Sequence, residues 1–554
     1  MKVLVYCAAV VAVVEMGCAT VKNGPHSKAA QELAISLPGL GSHSRAIGAA
    51  TPEAQAYFDQ GLSLLFAFNH DEAILSFSRA AELDPKNPMP WWGIAIANGP
   101  HINNPVVAPA NARAAWAALQ RAQALAGSAS RVDQALIRAL ERRYAQPQPE
   151  DRKPLDEAYA AAMRSVWQAH RTDADVGALT AEALMDLRPW DLWQEGGAPQ
   201  PGTTEIVATL EEVMEKSPQH PLALHLYIHA VEASARPERA DVAADQLREL
   251  TPGLGHLVHM PSHIDVRRGR WVEAIAANEK ALDADARYQA LRPRQGFYNL
   301  YMAHNHHMLA YAAMMAAQSG KALAAIDSMF DRIPAEWLKE NAAIADGFVA
   351  MPLEVRMRFG KWDEILARPA PDEHFPLARA LWRMSRGVAF AAKGDAVSAR
   401  AEHRAFLEAK AGVPKDASFG LNSAADLLAV GEALLEGEVL YREGKVAEGV
   451  ASLRRATERE DRLRYDEPPD WIQPVRHALG ATLLQEQRGV EAEEVFREDL
   501  RRLPGNGWAL FGLARSLRMQ GKELEAGAVE AQVAKAWAGA DVKTNSACYC
   551  QPGR

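Results

Sequence analysis

Residues 54–87, AQAYFDQGLSLLFAFNHDEAILSFSRAAELDPKN, place apolar and small residues at intervals of three and four, the period of helices with one buried face. Gly61 is followed twelve positions later by Ala73, then by Phe77, Ala80 and Pro85. This spacing predicts two closely crossing helices, the second ended by a proline. The next frame opens with Trp91, Ile94 and Ala95, is interrupted by NGPHINNPVVAPA, and resumes at Ala115, Leu119 and Ala122. Ala240, Ala244, Leu247 and Pro252 mark a unit beginning at 221, and Ala274 and Ala281 one beginning at 255. Ala322, Ile326, Met329 and Pro334 mark another from 303. Further units lie around 380–412 and 430–462. Gly480, Ala492, Phe496 and Pro504 are followed one frame later by Ala514 and Ala526. No run of alternating β-branched residues predicts a sheet.

A 34-residue helix-turn-helix with small residues at its crossing points resembles the tetratricopeptide repeat (TPR), here of a bacterial exported type. The resemblance implies an all-α solenoid of eight or nine units of varying regularity. First helices would line a concave groove and second helices an outer wall. It also implies a ligand or partner in that groove, and most TPR proteins are scaffolds. The expected organisation is a signal at 1–18, a flexible tether at 19–50 and N-terminal repeats with insertions at 51–220. Histidine-rich repeats at 221–334, C-terminal repeats at 335–540 and a frayed tail at 541–554 follow.

The repeat frame gives the histidines a meaning. GHLVHMPSHIDVRRGRW (255–271) carries His256, His259 and His263 at i, i+3, i+7, one face of a helix. They are the second, fifth and ninth residues of their unit. The unit at 221 places His225 fifth and His229 ninth, with Glu232 one turn on. The unit at 303 places His304 second, His307 fifth and Tyr311 ninth. Seven of nine groove-facing positions are histidine in a chain with 17 histidines among 554 residues. Chance would supply fewer than one.

A lone histidine on an apolar face is usually a hydrogen-bonded core residue. Seven in one groove would repel one another if protonated, and need partners for both ring nitrogens if neutral. A metal takes one nitrogen while carbonyls or carboxylates take the other N–H. The metal-ligand candidates are therefore His225, His229, His256, His259, His263, His304 and His307. A polar peptide groove and plain packing are the other readings. Imidazole suits zinc, copper and iron; copper is placed slightly ahead, since Met260, Met302 and Met308 lie nearby and export is expected. Glu232 is the candidate general base and Tyr311 a candidate proton or radical partner. The LRPWDLW stretch (187–193) reads as a plug between repeats or, through Trp190 and Trp193, as the wall of a pocket. His70 reads as turn chemistry.

Composition narrows the rest. A formal charge of −9 supplies no basic field, which argues against nucleic acid. After Lys2, VLVYCAAVVAVV has the length of a signal peptide and is too short to span a bilayer. Gly17-Cys18 allows either a lipoprotein signal, acylated at Cys18, or an ordinary cleaved one. The expected location is the periplasm or cell envelope, with membrane contact only through that anchor. Of four cysteines, only Cys548 and Cys550 lie outside the signal, so a disulfide framework is not expected. No serine triad, phosphate loop, dinucleotide fingerprint or H-E-x-x-H motif is present. The sequence leaves two functions open. One is a metal-dependent enzyme of redox, oxygen or hydrolytic chemistry. The other is a non-catalytic scaffold holding a peptide, an envelope protein or a small molecule in its groove.

Overall fold

The structure, a computed structural model, describes residues 34–293 and 295–551. The expected signal, Cys18 and the first part of the tether lie outside the described residues. Among the described residues the only strands are the two-residue pair Ser418–Phe419 and Asn422–Ser423; the rest of the regular structure is helical. No helix among them is long and apolar enough to cross a membrane.

Helix pairs fall where the repeat spacing put them. Pro52–Phe66 pairs with His70–Leu83, Pro376–Ala392 with Ala396–Ala411, and Ala424–Arg442 with Val446–Glu460. Thr51 and Asn69 cap the first two helices by accepting from Ala54 N–H and Glu72 N–H. Gly61 and Gly93, on successive first helices, both face the ring of Phe77, which a Cβ at either position would overlap. Gly480 and Gly512 stand in the same relation to Phe496. The bulky residue of a second helix thus fills the seam between two first helices, and only glycine leaves it room. First helices of successive pairs also pack on one another, as Pro376–Ala392 does on Ala424–Arg442. The packing is TPR-like.

Compactness divides the chain into two units. One comprises the described residues through Ile264 together with Lys280–Tyr301; the other comprises Asp265–Glu279 and the chain from Met302 onward.

In the first unit, the expected flexible tether is corrected from residue 35 on. Leu37 N–H donates to Gln60 Oε1 at 2.9 Å, and Gly253 N–H donates to Gly39 O at 2.7 Å. Buried Arg45 pairs with Asp133 at 2.8 Å, Asp173 at 2.9 Å and Asp175 at 3.0 Å. Asp133 lies in the first turn of Arg131–Leu140, and Asp173 caps Ala174–Met185. Two helix N-termini therefore share the negative charge that Arg45 meets. The Gly and Ser composition suggested slack; the single arginine decides otherwise.

The expected frayed tail is corrected in the second unit. Asp541 accepts from Ser319 N–H and Gly320 N–H at 2.6 and 2.8 Å, at the start of helix Ser319–Arg332. Arg358 donates to Ala547 O at 2.8 Å, and Arg442 to Cys550 O at 2.9 Å. Cys548 and Cys550 are buried and joined as a disulfide. His477 is held by Asp499 at 3.0 Å and Arg358 at 2.7 Å, a satisfied core histidine.

Candidate metal centre

Helix Pro221–Glu232 begins at the His220 cap and is buried along its whole length, carrying His225, His229 and Glu232 inward. The other histidine segment is broken. Gly255–His259 and Pro261–Arg267 are separate helices, because Pro261 offers no N–H to continue the ladder. The break does not scatter the side chains: the rings of His256 and His259 stand 6.0 Å apart, and those of His259 and His263 4.7 Å. Five of the seven expected histidines thus meet within the first unit. His304 and His307 belong to the second unit, where His307 packs on the rings of Phe348 and Phe419. Tyr311 is buried there against Trp271.

Hydrogen-bond partners assign the protons. His225 Nδ1 lies 2.8 Å from Phe66 O, a carbonyl that can only accept, so Nδ1 carries the hydrogen. His229 Nδ1 lies 2.8 Å from Glu232 Oε1, and His263 Nδ1 2.6 Å from Glu232 Oε2. Burial raises the Glu232 carboxyl, but the electrostatic pull of His263 and hydrogen bonds from His229 and His263 outweigh it and hold the pKa down to about 2. An ionised carboxylate only accepts, so His229 Nδ1 is also the donor. Burial, reinforced by His229, pushes the His225 imidazole well below its usual range. It also lowers His229 against the pull of Glu232, so both rings are neutral near pH 7. Their Nε2 atoms therefore carry lone pairs.

Those lone pairs converge. One ring nitrogen each from His225, His229 and His256 lies within 4.8 Å of the others. His256 Nε2 is 3.2 Å from His225 Nε2. With the His225 hydrogen on Nδ1, the hydrogen between the two imidazoles belongs to His256, which must release it or move it to Nδ1 before Nε2 can meet an ion. His229 Nε2 is buried with no hydrogen-bond partner. Such an atom costs about 1–3 kcal/mol unless something cationic or protic meets it. Nitrogens sharing one ion stand roughly 3–4 Å apart at bonds near 2 Å, so the set needs little closure to hold one. His259 and His263 add a second pair, Nε2 to Nε2 at 2.7 Å, tied to the first through Glu232. Glu232, with both oxygens engaged, positions two imidazoles; this differs from the general-base role its place on the helix suggested.

Three aromatic rings close around this triad, one per imidazole. Phe68 lies 4.5 Å from His225, Trp190 5.0 Å from His229 and Tyr301 4.6 Å from His256, centroid to centroid. Phe68 also lies 4.5 Å from His101, whose ring is 4.3 Å from that of His70. These two histidines fall outside the groove-facing register because His70 opens a second helix and His101 stands on an insertion. In the LRPWDLW stretch, Trp193 Nε1 donates to Ala230 O at 2.8 Å, which ties the segment to the helix that carries His225 and His229.

A second group in the same unit has similar ligand atoms and different wiring. His43, Asp175 and His220 also bring three ligand atoms within 4.8 Å, beside a cavity of about 380 Å³. Here His220 Nδ1 accepts from Ala223 N–H at 3.2 Å, which forces the proton onto Nε2, and Nε2 donates to Asp175 Oδ1 at 3.0 Å. His43 Nε2 meets the same oxygen at 2.9 Å, and Arg45 takes Oδ2. Burial would raise the Asp175 carboxyl, but hydrogen bonds from His220 and His43 keep it well below its usual range. His220 offers a proton, not a lone pair. We read this group as a hydrogen-bonded knot.

No protein-family model matches the chain and no curated relative matches it. Among solved structures, a human IFIT1 dimer with m7Gppp-AAAA aligns at 11% identity and TM-score 0.33, covering 88% of this chain and 90% of that one. The APC/C hetero-tetramer Cut9-Hcn1 aligns at 12% and 0.32 over 87% and 76%, and yeast Tom70 at 12% and 0.29 over 88% and 90%. What those proteins bind says nothing of this one; the TPR-like architecture rests on the packing above.

Proposed function

We propose that the chain is a TPR-like scaffold that binds a transition-metal ion through His225, His229 and His256. Glu232 and Phe66 O would fix their tautomers. The observation that carries this reading is the buried, unpartnered Nε2 of His229, aimed at two further imidazoles while its Nδ1–H is spent on a carboxylate. Packing alone has no use for that lone pair. His259 and His263 offer a second position, so one ion or two fit the donor set. All-imidazole donors suit copper, zinc or iron. A bound ion with an open position would supply Lewis-acid, redox or oxygen chemistry. Export to the envelope belongs to the same proposal. Plasma mass spectrometry of the purified full chain, before and after dialysis against each metal, tests it: at least one equivalent retained supports the centre, and none retained under any metal overturns it.

The scaffold reading keeps one specific observation in its favour. In the second unit Arg358 and Arg442, from two first helices, hold main-chain carbonyls of the tail, so that face accommodates an extended chain. A peptide or protein partner there is compatible with a metal in the first unit.

A further inference from the structure

The triad's aromatic surround is unequal, and the inequality points to a door. Phe68 and Tyr301 are 2% and 3% exposed, whereas Trp190 is half-buried. Of the three rings that touch the triad, only Trp190 also reaches solvent. Trp190 stands on residues 186–202, the long connection between helices Ala174–Met185 and Thr203–Lys216. Its indole N–H donates to Asn103 Oδ1 at 3.1 Å, and Asn103 stands on residues 98–108, the connection between helices Pro88–Ala97 and Pro109–Leu125. These two connections thus meet through this hydrogen bond, beside His229.

The backbone at Trp190 is unusual as well. Its φ is 58°, in the left-handed region that aromatic side chains rarely adopt. Phe68, Ala317 and Gln487 share that region, but each ends a helix in a short inter-helix turn, where the conformation is ordinary. Trp190 adopts it inside a long connection that also contains Gly196, Gly197 and Gly202 at φ of 93°, 84° and 93°. The indole is held against His229 at a conformational cost, with Asn103 accepting from its N–H.

Resting on the metal reading above, we propose that Trp190, latched by Asn103, closes the open side of the histidine centre and sets the size and polarity of what reaches it. The ligands admitted are small and uncharged, since the three rings offer apolar or quadrupolar surface and no counter-charge.

The test uses the full chain loaded with cobalt(II), whose visible absorption reports exogenous ligands directly. Imidazole is the small neutral probe and 4-phenylimidazole the bulky one. Wild type should bind imidazole and exclude the bulky probe. Trp190→Ala should admit 4-phenylimidazole at least tenfold faster, and Trp190→Phe should restore most of the exclusion. Asn103→Ala, which keeps the indole and removes its acceptor together with a side-chain contact to Tyr301, should speed entry of both probes several-fold with cobalt content unchanged. Equal association rates across wild type, Trp190→Ala and Asn103→Ala, with cobalt bound in all three, would overturn the door and leave the centre standing. Failure of wild type to bind cobalt, copper or zinc would overturn both.

Discussion

Two groups in the first unit look alike by inventory and differ in where their protons go. Around His229, imidazole N–H groups point outward to Phe66 O and Glu232, and lone pairs point inward. Around Asp175, the imidazole lone pair of His220 points outward to a helix N-terminus, and its N–H points inward to a carboxylate that Arg45 also holds. The first arrangement turns the lone pairs of His225 and His229 inward; the second already pairs its charges. The number of nitrogens within reach does not separate a metal centre from a structural knot. The outer partners do.

The comparison breaks if substitutions in the two groups have the same consequences. The largest expected effect is on the knot: Asp175→Asn should leave Arg45 and two imidazoles poorly matched in a buried site, destabilising the fold by about 3 kcal/mol. Metal content should not change, as chemical denaturation and metal analysis of the same sample would show. His229→Ala should do the reverse. It should lower metal affinity by about two orders of magnitude or more, with metal-free stability reduced by about 1–3 kcal/mol for the lost hydrogen bond to Glu232. Removing the carboxylate behind the ligands, Glu232→Gln, should cost roughly 10–100-fold in affinity, measured by competition with a chromophoric chelator.

Acid should separate the two groups in sequence. Burial lowers His225 and His229, and lowers His70 from 6.5 to about 4. Below about pH 6.5 the unfolded chain takes up these protons while the folded chain does not, so stability falls as pH falls. The slope is up to about 1.4 kcal/mol per pH unit for each group, and for His70 it ends near pH 4. Asp175 is depressed below its ordinary 3.8. Its contribution is fully present above that value and is lost only on further acidification. Melting temperatures of metal-free protein should therefore decline from near neutrality in wild type. Asp175→Asn should share that decline and lack the additional loss below about pH 4. A flat profile between pH 7 and 4 would contradict the buried neutral imidazoles.

The smallest effect sharpens the boundary of the centre. His259→Ala should remove one nitrogen of the outer pair, lowering any second equivalent of metal while sparing the first. Loss of all bound metal would move the centre toward His259 and His263.

Much of this was legible in the sequence, for physical reasons. Glycine and alanine where two helices cross, as at Gly61 opposite Phe77, leave a spacing that survives divergence elsewhere. The same frame told which residues share a helix face, and so brought His225, His229, Glu232, His256, His259 and His263 together before any coordinates. It did not show the Pro261 break, which changes the ladder but not the face. It could not place His101, Asn103 or Trp190, which stand on insertions outside the period. Composition misled at both ends: Arg45 pins a Gly- and Ser-rich strap, and Arg358 and Arg442 hold a polar tail through its carbonyls, contacts that leave no periodic trace. The tautomers were beyond reach too, since Phe66 O is a backbone atom that no residue type announces.

The most direct test is metal stoichiometry in three matched preparations of the full chain: wild type, His229→Ala and His220→Ala, each purified under chelator, reloaded and dialysed. The account expects wild type and His220→Ala to retain the same metal, with His220→Ala less stable by about 1–3 kcal/mol for its lost cap and buried hydrogen bond. His229→Ala should retain little or none, with a metal-free stability within about 1–3 kcal/mol of metal-free wild type for its lost hydrogen bond to Glu232. Equal metal in wild type and His229→Ala, or loss of metal in His220→Ala alone, would contradict it.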